Sequence, residues 1–171
     1  MTILEMITSS PSPALVEATA LAHAIERLDE AAQACTACAD ACLAEDDPAQ
    51  LRECIRRTGD AADVLAATSR VLSRQTSPDL GLVRVLLEAA VVAGKRAAAE
   101  CERHAEMHVH CAVAADAARR CEAATRSLLE QVRHGVPQAG PLPGRGDGPD
   151  TDAVDLDAVA GEDVLGGTGT V

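Results

Sequence analysis

The sequence predicts an all-α protein, an antiparallel four-helix bundle followed by a disordered C-terminal tail. Three observations carry this. The 171 residues include no Phe, Tyr or Trp but 35 Ala, so the apolar fraction is largely Ala, Leu, Val and Cys. Sandwich and barrel cores lean on aromatic and β-branched side chains, whereas an alanine-rich core suits slender helices that approach closely. Ser12-Pro13, Asp47-Pro48 and Ser77-Pro78 each set a capping residue before a proline, a common way to open a helix. Between and after these starts run long segments free of proline, with apolar or small residues at a spacing of about 3.5.

Residues 1–12 read as a flexible lead. They hold no Lys or Arg and no long apolar run, so they do not resemble a secretory signal. The bundle spans residues 13–134. Its first inward stripe is Leu21, Ala24, Leu28, Ala31, Cys35, Cys38, Cys42; its second is Leu51, Cys54, Thr58, Ala61, Leu65, Thr68, Leu72. The third is Val83, Leu87, Ala90, Gly94, Ala97, Cys101, His104. A fourth helix must start near His104 to Met107, because one helix from Pro78 to Arg133 would be far too long. Its stripe is His108, Cys111, Ala114, Ala118, Cys121, Thr125, Leu128, Val132. Short connections make the four helices alternate up and down.

Residues 135–171 change character. They carry nine of the twelve glycines, four of the eight prolines, and seven acidic residues against the single Arg145. Such a segment buries too little apolar surface to offset its ordering entropy, so disorder is expected. Its Ala153 to Val159 stretch interleaves acids with aliphatics as short docking peptides do, but a solubilising acidic tail is the favoured reading, with a protein partner as the alternative.

Charge and hydropathy narrow the function. A net charge of −12 and the lack of aromatic stacking faces argue against nucleic acid. No stretch has the roughly 18 uninterrupted apolar residues of a membrane span. A cytoplasmic location is therefore expected, where stable disulfides are uncommon and grouped thiols more often serve metals. All seven cysteines lie on the inward stripes. Cysteine is a small and readily buried hydrophobe, which accounts for one or two such placements better than for seven.

The thiols also gather toward one end. With the turns near Asp46 and Ala105 at that end, Cys35, Cys38, Cys42, Cys54, Cys101 and Cys111 lie within about 16 Å of them at 1.5 Å per residue, and Cys121 is deeper. His104, Met107, His108 and His110 share that end; the first three are the candidate ligands or gate residues, and His110 ranks below them. Thiolate and thioether donors favour Cu(I), with Zn(II) the less favoured alternative. Zinc prefers a closed tetrahedral set, whereas Cys35-x-x-Cys38-x-x-x-Cys42 is one helical stripe suited to low-coordinate ions.

The segments Ala34 to Glu45, Ala66 to Gln75 and Glu100 to Cys111 resemble the cysteine-rich four-helix-bundle copper storage proteins, over roughly residues 15–132. The resemblance implies a cytosolic tetramer holding many Cu(I) ions on core thiolates, filled through a His/Met-rich mouth. It would also put cysteines at or near Leu28, Ala31, Ala61, Leu65, Ala90, Gly94, Ala97, Ala114, Ala118 and Thr125, where this chain has none. The expected function is thus copper storage, buffering or delivery at reduced capacity, about three to six ions from the ligand count. Two alternatives use the same scaffold: a copper-dependent enzyme, or an adaptor that has lost storage.

Overall fold

The computed structural model describes residues 2–135; most of the acidic tail, and the disorder expected of it, lie outside the described residues. Within them run α1 (Ile3–Thr8), α2 (Ala18–Leu43), α3 (Arg52–Leu72), α4 (Leu80–Glu102) and α5 (Val109–Gly135), with no strand among the described residues. Helices α2–α5 are the four that the stripes predict.

Helix α1 falls where the sequence reading places a flexible lead. Thr2 and Glu5 close a capping box: the Thr2 hydroxyl accepts from the Glu5 amide and the Glu5 carboxylate accepts from the Thr2 amide at 2.6 Å. Ile7 is buried in the main core, which is what holds so short a helix in place.

The helix starts differ from the proline-based reading. Ser77 adopts a φ of 51°, in the left-handed region, so it does not cap α4. Proline pushes its preceding residue out of the right-handed helical region, and the cap passes to Asp79, whose carboxylate accepts from the Leu82 amide at 3.0 Å. Asp47 instead opens a separate turn, taking the Gln50 amide on its carbonyl at 3.3 Å and the Gln50 side-chain amide on its carboxylate at 2.7 Å. Helix α3 follows from Leu51, which lends no side-chain cap. Helix α2 is capped by Glu17, not by Ser12. The intervening Ala14, Leu15 and Val16 pack on the core, and Gln75 fastens them by accepting from the Leu15 amide at 2.7 Å while donating to the Leu72 carbonyl at 2.6 Å.

The helices form a ring in which α2 packs on α3 and α5, and α4 packs on α3 and α5. The α2–α3 turn and the α4–α5 turn meet at one end, where Glu45 of the first touches His108 and His110 of the second. Inside the ring every stripe residue from Leu21 to Val132 is buried, apart from His104 and His108, which are partly exposed at the turn. The buried Thr58 and Thr68 hydroxyls donate to the carbonyls of Cys54 and Val64 one turn back, each at 2.7 Å, so neither is left unsatisfied. Leu21, Leu28, Leu72, Leu87 and Leu128 fill the half away from the turns, each worth about 1.5–3 kcal/mol of burial. Gly94 brings α4 close to α5: an added Cβ would lie 3.5 Å from the Ala118 carbonyl oxygen.

Candidate metal centre

Four helices deliver five thiols to the end with the paired turns. Cys38 and Cys42 are one turn apart near the end of α2, Cys54 is in the first turn of α3, Cys101 in the last turn of α4 and Cys111 in the first turn of α5. All five are buried and share one apolar cluster with Leu51, Ala114 and Ala115. Cys54 Sγ lies 3.7 Å from Cys101 Sγ and 3.9 Å from Cys111 Sγ, and Cys38 Sγ lies 3.8 Å from Cys111 Sγ. Two sulfurs bound to one ion at about 2.3 Å are separated by about 3.8–4.0 Å in tetrahedral or trigonal sets. The thiols thus already stand at ligating separations, and Cys38, Cys42, Cys54 and Cys111 can each turn a sulfur to a common centre.

Their acidities divide the cluster. The Cys54 thiol is shifted well below its ordinary value because hydrogen bonds from Cys101, then Cys38, converge on its sulfur. Cys38 moves up as the donor in those contacts with Cys101 and Cys54. Burial raises Cys111 and Cys42, each also facing the Cys54 charge. Cys101 is raised too: the Cys38 contact pulls down, but its own donation to Cys54 and its burial outweigh it. One thiolate, centred on Cys54 and surrounded by neutral thiols, is the arrangement this favours. It is an anionic seat for a soft cation.

His110 spans the cluster and the surface. Its Nδ1 lies 3.5 Å from Cys38 Sγ and from Cys111 Sγ and 3.9 Å from Cys42 Sγ, while its Nε2 lies 3.0 Å from Glu45 Oε1. His108 Nδ1 meets the same carboxylate oxygen at 2.9 Å. Hydrogen bonds from His110 and then His108 hold the Glu45 carboxyl below the usual range. Glu45 is not among the residues the sequence marks out, and His110 is placed at this end by the sequence but ranked there below His104 and His108. His110 stands beside Cys111 and about 100° around α5, toward α2, so only the ring order shows that it faces the thiols.

The other sequence candidates take different places. His104 turns its Nε2 to Glu100 Oε1 at 3.3 Å. Met107 is 73% exposed, and with His104, His108, Glu45, Asp47 and Leu51 it borders a cleft of about 230 Å³ at this end. Cys35 and Cys121 belong to the larger apolar core instead, with Cys121 Sγ 3.7 Å from Thr125 Oγ1. Burial pushes Cys35 up to about 12 and Cys121 up to about 11. Among the described residues all seven thiols are free, with no disulfide.

Residues 17–130 match the family model described as copper storage protein. The chain belongs to the copper storage protein family. It is similar to the copper storage protein Ccsp from Streptomyces lividans, solved with 10 copper equivalents: 45% identity, a TM-score of 0.73, and coverage of 75% of this chain and 98% of that one. The cytosolic copper storage protein from the same organism, solved with five coppers, gives 49% identity and a TM-score of 0.64 over 66% of this chain and 93% of that one. No curated protein matches. Copper storage thus accounts for the thiol-lined end of this bundle. Of the positions where the family pattern suggests further thiols, Leu28, Ala31, Ala61, Leu65, Ala90, Ala97, Ala114, Ala118 and Thr125 are all fully buried. They face the core and leave it apolar except for the threonine hydroxyl.

Proposed function

We propose that this copper storage protein holds Cu(I) in the cytosol, on a cluster of Cys38, Cys42, Cys54, Cys101 and Cys111, with Cys35 and Cys121 as outlying ligands. The observation that carries this is the sulfur spacing: buried thiols from four helices, 3.7–3.9 Å apart, with one of them favoured as thiolate. Soft thiolates select Cu(I) over harder ions. An incoming ion passes His104, Met107 and His108 at the cleft and is received on His110 Nδ1. Loading then releases thiol protons, so affinity falls as pH falls.

The Streptomyces relative was solved with 10 copper equivalents. With its far positions apolar, this chain holds fewer, about three to six by ligand count. Anaerobic Cu(I) titration against a competing chelator tests this. Saturation in that range, with His110→Ala filling more slowly to the same endpoint, is expected. A stoichiometry below one per chain, or an affinity no better than that of a simple free thiol, overturns it.

Assembly into a homo-oligomer, a tetramer by family resemblance, is part of the same reading. Leu82, Val85 and Val92 are exposed along one face of α4, a surface that a second copy would cover. Sedimentation of wild type against Val92→Glu reads this out.

A further inference from the structure

We infer that the groove between α3 and α4 seats a second copy of this chain, whose α4 lies antiparallel to the first about a two-fold axis beside Val92. This rests on the oligomer reading above and adds the groove and the direction. The groove has a volume of about 410 Å³, and Val64, Ala89 and Val92 are among its apolar lining. Val85, Val92 and Ala99 follow one another at seven-residue spacing on the outer face of α4, and all three are exposed. That spacing is the seam of a helix that pairs with another helix.

Charge selects the occupant and its direction. Glu88 stands one turn before Val92 and Arg96 one turn after it, and both line the groove. An α4 turned about Val92 sets Glu88 of each copy against Arg96 of the other, giving two identical ion pairs. A parallel α4 would set like charges together. A peptide or ion of a single sign would meet a like charge at Glu88 or at Arg96. Arg96 has no ion-pair partner among the described residues, and Glu88 reaches Arg133 at 2.7 Å with its carboxylate half exposed, open to a second guanidinium. The other charges at the groove are met on their own helix, Arg57 by Glu53 at 2.6 Å and Asp60 by Arg56 at 3.1 Å. In such a pair the paired-turn ends point opposite ways, so neither copy covers the thiol cluster of the other.

Charge reversal in full-length, metal-free protein tests the arrangement by sedimentation equilibrium, with circular dichroism confirming that each variant is folded. Glu88→Arg and Arg96→Glu each bring like charges together twice and should each weaken self-association at least about tenfold. The double variant restores opposite pairs and should recover the association of wild type. An oligomer indifferent to both single variants, or weakened by each and not recovered in the double, overturns the inference while leaving the oligomer standing. A monomeric wild type overturns both. Lys95, the one lysine in the sequence, gives a second measure that needs no variant. It is three residues from Val92, so the two copies of it lie about 9 Å apart along the helix direction, on helices about 8–10 Å apart. An amine-reactive cross-linker should join Lys95 to Lys95 between copies, as mapped by peptide mass. Associated protein that yields no such product overturns the inference.

Discussion

The two halves of the bundle share one construction and differ in what fills it. At both, four stripes of buried side chains meet inside a ring of helices. Away from the paired turns the filling is Leu, Val, Ala and Thr, closed by α1 and the Gln75 fastening. Near the turns it is five thiols with two small alanines and one leucine, bordered by His108, His110 and Glu45. Stability is thus concentrated at one end and chemistry at the other. The thiol end can hold sulfurs close because it does not have to supply most of the apolar burial.

This division can be broken from either side. Cys54→Ala removes the sulfur that contacts both Cys101 and Cys111 and should cost about one to two Cu(I) per chain, with a small change in melting temperature. Leu87→Ala should do the reverse: about 2–5 kcal/mol lost in denaturant unfolding, with copper stoichiometry kept. If either variant moves both quantities equally, the halves are not separable.

The deep thiols give a subtler test. Burial raises Cys35 to about 12 and Cys121 to about 11, against about 8.5 in an unfolded chain. A raised folded value favours the protonated thiol in the native state. Its contribution is therefore complete below about pH 8.5 and is lost as pH climbs toward 11 and 12. Metal-free protein should show a melting temperature that declines across that window. Copper-filled protein, its thiolates held by ions, should decline less. The smallest expected effect is at Gly94, where an added methyl meets only ordinary contacts: Gly94→Ala should stabilise by about 0.5–1 kcal/mol, measured by thermal unfolding.

The stripes were legible in the sequence because a buried helix face needs no knowledge of its neighbours: each position from Leu21 to Val132 follows from periodicity alone. Capping was less so. A proline marks where the chain turns, but Ser77 and Asp47 sit in turns of their own, and Asp79 and Glu17 take the caps. Helix α1 escaped notice because its stability comes from Ile7 meeting α2, not from its own length. Glu45 is not legible in the sequence, and His110 is ranked too low there, for a related reason. Their roles depend on α5 lying beside α2, a fact of ring order that no local pattern carries.

The gap between the thiol cluster and the deeper pair bears on timing. Cu(I) moves through a protein by exchanging one sulfur for another, and each exchange needs the next ligand within reach. Beyond Cys54, Cys101 and Cys111 the walls formed by α3, α4 and α5 present Ala61, Ala97 and Ala118, which offer no such step, so inward exchange is left to Cys35, one turn from Cys38 on α2. On the proposed five-thiol cluster, ions would therefore stay a short path from solvent, with Cys35 as the one inward step next to them. A bundle so arranged would trade capacity for turnover, with copper exchange governed at the paired-turn end.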